Sequence, residues 1–230
     1  MSRPAGWGWD WPNEPREVLP RGLEQIVPGA GLAAVLAGID RTDLNGYELV
    51  TLIEARARVV AWGQAQLLAD IAELCHTPMG YVSSDAERTS TVHEESADEL
   101  RPALHLTRRS AENMARLALD LADRLPQVLS ALESGSIDLP RAQVICDGTS
   151  HLDDTEARVV ADQILVEAGE LTTGEIAARL RRLSLRAGPE EGRRRYEAAV
   201  ADRYVYARPN PEGTGNLYGI DLPADRLAAA

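Results

Sequence analysis

The chain has 230 residues, enough for one large domain or two small ones with a buried core. Ala, Leu, Glu and Arg are abundant, and because these residues favour helices, the composition predicts a mainly α-helical protein. The net charge of −12 argues against a protein that coats nucleic acid without sequence preference. Residues 1–100 hold 7 Arg and 16 acidic residues, whereas residues 101–230 hold 17 Arg and 20. Any anion-binding surface is therefore expected in the second half.

All 24 basic residues are Arg, which indicates a GC-rich coding bias and a host such as an actinobacterium. No secretory signal opens the chain, and it has no apolar run of about eighteen residues. We therefore predict a cytoplasmic protein with no membrane partner. Cys75 and Cys146 lie far apart without a CxxC pairing, and both are interpreted as small buried apolar residues.

Residues 1–30 are predicted to form a flexible leader, because residues 1–28 are rich in Pro, Gly and Trp and show no helical or strand period. Trp7, Trp9 and Trp11 fit a docking segment for a partner equally as well as a segment that lies across the domain's own surface. The remaining residues, 31–230, are predicted to form a helical domain.

The strongest predicted element is a long helix over 46–76. Asn45 and Glu48 have the spacing of a capping box, and Thr77-Pro78 ends the helix. A stripe that is apolar or small apart from Arg56 then recurs at spacings of three and four: Leu49, Leu52, Ile53, Arg56, Val60, Gly63, Leu67, Ile71 and Leu74. Such a stripe is typical of the spine of a helix bundle, and less often of the seam of a homodimer.

Residues 79–93 are polar and predict an exposed loop, after which shorter helices continue to residue 203. Pro126 is expected at the first position of one of them, and Thr172 with Glu175 forms a second capping box. Two strand-like runs around the turn NPEGTG predict a β-hairpin over 204–222. The final PADRLAAA resembles a helix start, so we expect a chain truncated at its C-terminus, with a frayed natural terminus as the alternative.

The segment 97–120 has the pattern of a helix-turn-helix. Leu104, Leu106 and Ala111 are expected to hold two helices together, and Thr107 is expected to cap the second one. The candidate DNA contacts on that helix are Arg108, Arg109, Asn113 and Arg116. Arg suits phosphates and guanine edges and Asn suits adenine, so these side chains match DNA. An ordinary pair of bundle helices with a solvated basic face explains the pattern equally well.

The segment departs from the usual helix-turn-helix pattern in two ways. His105 occupies the turn where Gly is usual. Arg101 and Pro102 stand where the first helix normally has small helix formers, and Pro102 removes a backbone hydrogen bond.

A second group of candidate DNA contacts lies further along the chain. Arg179, Arg182 and Arg186 share one face of a predicted helix. The glutamates at 190, 191 and 197 can pair with arginines of this region, so a salt-bridged exposed face is the favoured interpretation.

The sequence shows no pattern for chemistry. The four His residues lack the spacing of a zinc site, and no GxSxG, Walker loop or GxGxxG after a strand occurs. No catalytic residue, metal site or cofactor is expected.

The order of motifs carries a family resemblance. ARVVAWGQAQLLADIAEL is followed by DELRPALHLTRRSAENMARLALDLADRLPQVLSALESGSIDLPRAQVI, then by LTTGEIAARLRRL and RYVYARPNPEGTGNLYGIDLPAD. Over residues 31–230 this succession resembles the actinobacterial domain of unknown function that precedes HNH endonucleases, also called the thirteen-E-twelve repeat family. The resemblance implies a DNA-related role. The HNH histidines of that family have no counterpart here, so it implies no catalytic residue in this chain.

Two functions remain open at this point. The first is a non-catalytic helical domain that binds or targets DNA in an HNH-endonuclease-associated protein. The alternative is a scaffold for protein interaction or oligomerisation, with a homodimer formed through the long helix and no direct DNA contact.

Overall fold

The computed structural model describes residues 19–77, 96–187, 189–223 and 227. The three leader tryptophans, the predicted loop 79–93 and most of the predicted C-terminal helix start lie outside the described residues. The helices and strands, in chain order, are α1 Ala30–Ala37, α2 Gly46–His76, α3 Ser96–Leu104, α4 Arg108–Leu119, α5 Pro126–Glu133, α6 Leu139–Thr149, α7 Asp154–Leu165, α8 Thr173–Ala187, α9 Pro189–Ala201, β1 Tyr204–Pro209 and β2 Gly215–Ile220.

The predicted fold class is confirmed: the protein is mainly α-helical, with one long helix and an antiparallel C-terminal hairpin. The described residues fall into two compact units. Unit 1 lies within Met1–Ala118 and Leu129–Leu139, and unit 2 lies within Leu119–Val128 and Pro140–Ala230.

Local capping explains where several helices begin. The Asn45 side chain accepts hydrogen bonds from the backbone of Tyr47 and Glu48, and the Glu48 carboxylate accepts one from the Asn45 N–H, at 2.8 Å. Thr172 and Glu175 make the second predicted capping box in front of α8. These bonds satisfy N–H groups that the first helical turn leaves without a partner.

The buried face of α2 differs from the predicted stripe. Of the nine residues in that stripe only Leu52 and Ile71 are buried, while Ile53 and Val60 are 63% and 58% exposed. Small residues take much of the buried face instead, namely Ala55, Ala61, Ala65, Ala72 and Cys75. The helix carries two apolar faces, and the face with the smaller side chains is the one that is buried.

Residues 19–29, assigned to the leader by composition, pack against α1 and α2 within unit 1. Leu23 is buried in a cluster with Leu32 and Leu36 of α1 and with Leu52 and Ala55 of α2. The Arg58 guanidinium donates to three carbonyl oxygens of this segment, those of Leu23, Glu24 and Ile26, at 2.8, 2.9 and 3.1 Å. The segment is thus held in place by a buried leucine and by a distant arginine.

In unit 2, α6 and α8 approach closely at a glycine. A Cβ added at Gly148 of α6 would lie 2.7 Å from Cδ1 of Leu180 on α8, so only glycine fits without displacement. On α8, Ile176 and Leu180 are buried, whereas Leu183 is only half-buried. The Arg141 guanidinium of α6 donates to the Leu171 carbonyl oxygen just before α8, at 2.8 Å.

The predicted hairpin is present with the expected turn. In its register Tyr206 pairs with Tyr218 and Arg208 with Asn216. The Asn210 N–H donates to the Thr214 carbonyl oxygen, and Gly213 in the turn has a φ of +81°.

We predict that Arg58→Met lowers the free energy of unfolding by about 2 kcal/mol, because hydrogen bonds from a charged donor each contribute roughly 1.5–3 kcal/mol. Urea denaturation measures the effect. Arg41→Met, at an exposed position, is the matched control and should leave the midpoint unchanged. Equal midpoints for the two variants would show that the three bonds contribute no net stability.

Candidate nucleic-acid interface

The turn between α3 and α4 has the backbone conformation of a glycine-type turn. His105 lies in the left-handed region with φ +54°, and the Leu106 N–H donates to the Arg101 carbonyl oxygen at 3.0 Å. This six-to-one bond behind a left-handed residue is the Schellman ending of a helix. His therefore takes the conformation that Gly usually provides, and the departure noted in the sequence does not alter the turn.

Thr107 caps α4, as predicted. Its Oγ1 accepts the Ser110 N–H at 3.2 Å, and its carbonyl oxygen accepts the Ala111 N–H at 3.0 Å. Ala111 and Ala115 are buried, which fixes the orientation of the helix about its axis.

The four candidate contacts on α4 are all exposed. Arg109, Asn113 and Arg116 are separated by four and three residues, so they lie on one face of the helix. The Nε of Arg108 donates to Glu112 Oε1 at 2.8 Å. That bond raises the pKa of Arg108, with smaller contributions from the charges of Glu112 and Asp98.

One expectation about the helix-turn-helix is wrong. Leu104 is 39% exposed and does not serve as a core contact between the helices, whereas Leu100, one turn earlier in α3, is buried. The left-handed turn begins directly after Leu104, so the last turn of α3 already faces solvent. The buried residue of α3 is Leu100, so it could be found only by following the helical spacing of apolar residues from Leu104 toward the N-terminus of α3.

The second group of candidate contacts, Arg179, Arg182 and Arg186, does not share one environment. Arg179 forms an ion pair with Glu167 in the loop after α7, whereas the predicted partners were the glutamates at 190, 191 and 197. Arg182 is exposed and lines a shallow cleft of about 290 Å³ with Gln163, Glu167, Arg179 and Leu183. Arg186 lies in α8, and its side chain is outside the described residues. Sequence reasoning missed Glu167 because no local spacing joins it to Arg179.

Cys75 and Cys146 are buried thiols, as predicted. Within the described ranges, no three side chains among His, Cys, Asp and Glu converge to hold a metal ion. None of the helices in the described part of the chain has the length and hydropathy needed to span a bilayer.

Fold and surface together define a mainly helical domain that presents a capped, arginine-bearing helix to solvent. Comparison with known families identifies it further: the chain belongs to the family described as Domain of unknown function (DUF222), whose model matches residues 50–229. The sequence resemblance to a domain of unknown function is thereby confirmed at the level of the family. No curated protein and no solved structure matches the chain.

The conformation of His105 makes a prediction about the turn. A left-handed residue with a Cβ costs roughly 1–2 kcal/mol, and β-branched residues tolerate it worst. We expect His105→Gly to retain or raise the free energy of unfolding, and His105→Val to lower it by about 1 kcal/mol. Urea denaturation of the two variants measures this difference. A valine variant as stable as the glycine variant would contradict the left-handed turn.

Proposed function

We propose that this chain is a DNA-binding or targeting domain of an HNH-endonuclease-associated protein of actinobacterial, cytoplasmic origin, and that it is itself non-catalytic. The observation that carries the proposal is the exposed face of α4. Arg109, Asn113 and Arg116 extend from one side of a helix that begins at a Thr cap behind a tight turn. The sequence resemblance to domains that precede HNH endonucleases supports a DNA-related setting.

The side chains of α4 suit a helix that enters the major groove. Arg can bind guanine O6 and N7 with two hydrogen bonds, Asn can do the same with adenine, and both can reach phosphates. Arg108 is less suited to a base contact, because Glu112 already accepts its Nε–H. We therefore assign Arg109 and Asn113 to base contacts, and Arg116 and Arg108 to the DNA backbone.

The cleft of unit 2 offers a second anion-binding candidate. Arg182 and Arg179 line it together with Glu167, and the neighbouring carboxylate offsets part of the positive charge. We assign Arg179, Arg182 and Arg186 to auxiliary phosphate contacts at most, with weaker effects on affinity than the residues of α4.

We expect the full chain to bind duplex DNA with a micromolar Kd at low salt and to lose affinity as salt rises. Fluorescence anisotropy with a labelled duplex, titrated at several salt concentrations, measures both quantities. Arg109→Gln should remove a base contact and weaken duplex binding, whereas Arg116→Gln should remove a phosphate contact and reduce the salt slope by about 0.9.

Arg41→Gln is the control, because it removes the same charge from an exposed position far along the chain from α4. Equal losses for the Arg109 and Arg41 variants would mean that general charge, and not the α4 face, determines binding. If no duplex binding is detected at micromolar protein concentrations, the proposal is wrong.

A second candidate function rests on the exposed apolar face of α2. Val50, Ile53, Ala57, Val60 and Leu67 are all exposed, and with Gln64 they follow spacings of three and four along the helix. This is the pattern of a coiled-coil seam. Large exposed side chains in such a row are typical of an interface, so the observation favours a homodimer formed through α2.

We expect Ile53→Glu to convert a dimer into a monomer if α2 forms this seam, because a carboxylate cannot be buried at a coiled-coil position without a partner. Light scattering measures the mass. Val159→Glu on α7 is the control, since Val159 is similarly exposed, at 51%. A wild-type monomer that binds DNA rejects the scaffold, and a salt-insensitive dimer without DNA affinity rejects the DNA-binding proposal.

A further inference from the structure

The C-terminal hairpin carries a row of exposed aromatic rings. Tyr206 of β1 and Tyr218 of β2 lie directly opposite each other, with ring centroids 5.0 Å apart and an interplanar angle of 17°. Tyr204 continues the row, with its centroid 6.0 Å from that of Tyr206. All three rings are exposed, although tyrosine rings usually bury a large apolar area.

The tyrosines share their face of the hairpin with polar groups. Side chains two residues apart on a strand point the same way, so Arg208 lies on the same face as Tyr204 and Tyr206, and its register partner Asn216 lies beside it. The Asn216 Nδ2 donates to the Tyr218 hydroxyl at 3.2 Å. The face therefore combines three rings, a guanidinium and a carboxamide.

We propose that this tyrosine face, defined as Tyr204, Tyr206, Arg208, Asn216 and Tyr218, binds the unpaired bases of single-stranded nucleic acid. Bases stack on aromatic side chains in a sequence-tolerant way, and a nearby arginine contributes a charge for the phosphodiester backbone. A paired base has both faces covered by its neighbours in the duplex, so only an unpaired base can extend the row of rings.

Positive charge is concentrated in the segment that leads into the hairpin, whereas residues 189–222 as a whole hold five Arg and six acidic residues. Residues 193–208, which lead into β1 and form it, hold five Arg and two acidic residues, a local excess of three positive charges in a chain with a net charge of −12. The Glu197 Oε1 lies 3.9 Å from the Arg193 Nε, so this carboxylate partly offsets the charge of Arg193. This charge does not distinguish a nucleic acid from an acidic peptide, and the row of rings, on which bases can stack, is what favours a nucleic acid.

This proposal does not depend on the α4 face, and its ligand differs from the duplex proposed there. The test is fluorescence anisotropy of the full chain with labelled oligothymidine, oligouridine and a duplex of equal length. We expect both single strands to bind more tightly than the duplex. Oligothymidine and oligouridine differ in the C5-methyl group as well as in the 2′-hydroxyl, so oligodeoxyuridine is measured too. The ratio between oligodeoxyuridine and oligouridine reports whether the 2′-hydroxyl contributes, and therefore whether the ligand is DNA or RNA.

Tyr206→Leu keeps an apolar side chain and removes the ring, so it should weaken single-strand binding by roughly tenfold or more. Tyr206→Phe keeps the ring and should preserve affinity, which separates stacking from loss of the hairpin. Leu217→Thr changes an exposed residue of the opposite face and should have no effect. Arg208→Gln should weaken binding and lower the salt slope by about 0.7.

Two results would overturn the proposal: equal single-strand affinity for wild type and Tyr206→Leu, or duplex binding as tight as single-strand binding by the tyrosine face. A hairpin that pairs with a strand of another protein chain would give no single-strand binding at micromolar protein, which also overturns it. Arg109→Gln separates the two sites: it should leave single-strand affinity unchanged, so failure of the duplex proposal does not affect this one.

Discussion

The packing of unit 1 depends on which side of α2 is buried. Much of the buried face of this 31-residue helix consists of alanines, with Ala55, Ala61, Ala65 and Ala72 almost fully inaccessible. Small side chains allow neighbouring backbone to approach closely, and the protein has no Phe with which to fill wider spaces. The larger side chains of the helix, such as Ile53 and Val60, then remain on its surface. Burial of the alanine-rich side of α2 therefore determines both the core of unit 1 and the exposed apolar face that is proposed as an interface.

Arginine has two distinct uses in this chain, and only one of them leaves the side chain available to a ligand. Arg58, Arg124, Arg141 and Arg158 each donate to backbone carbonyl oxygens from other parts of the chain. These guanidinium groups close loops onto helices, as the Arg158 Nε does with the Arg124 carbonyl at 2.9 Å. Because the chain has no Lys, neither the count of basic residues nor their local density separates these structural arginines from those that face solvent.

The sequence predicted well what depends on neighbouring residues. The caps at Asn45, Thr107 and Thr172 and the start of α5 at Pro126 follow from interactions over three or four positions, and all are present. The prediction failed where contacts with distant segments determine which side chains are buried. The buried side of α2 could not be found, because the larger aliphatic residues gave the stronger hydrophobic signal. The packing of Leu23 was missed for a similar reason, since Arg58 lies 35 positions away from it.

The candidate surfaces are consistent with an acidic protein because electrostatic attraction is local in salt. The Debye length is about 10 Å at 0.1 M ionic strength, so carboxylates further than this from α4 or from the hairpin contribute little to the field there. Acidic residues within that range do matter, and Glu112 and Glu197 each lie within ion-pair distance of an arginine. If α4 and the hairpin bind nucleic acid as proposed, we expect base stacking and hydrogen bonding to contribute as much to the affinity as contacts with phosphates do. Loss of one ring or one bidentate donor should consequently weaken binding more than loss of one distant charge.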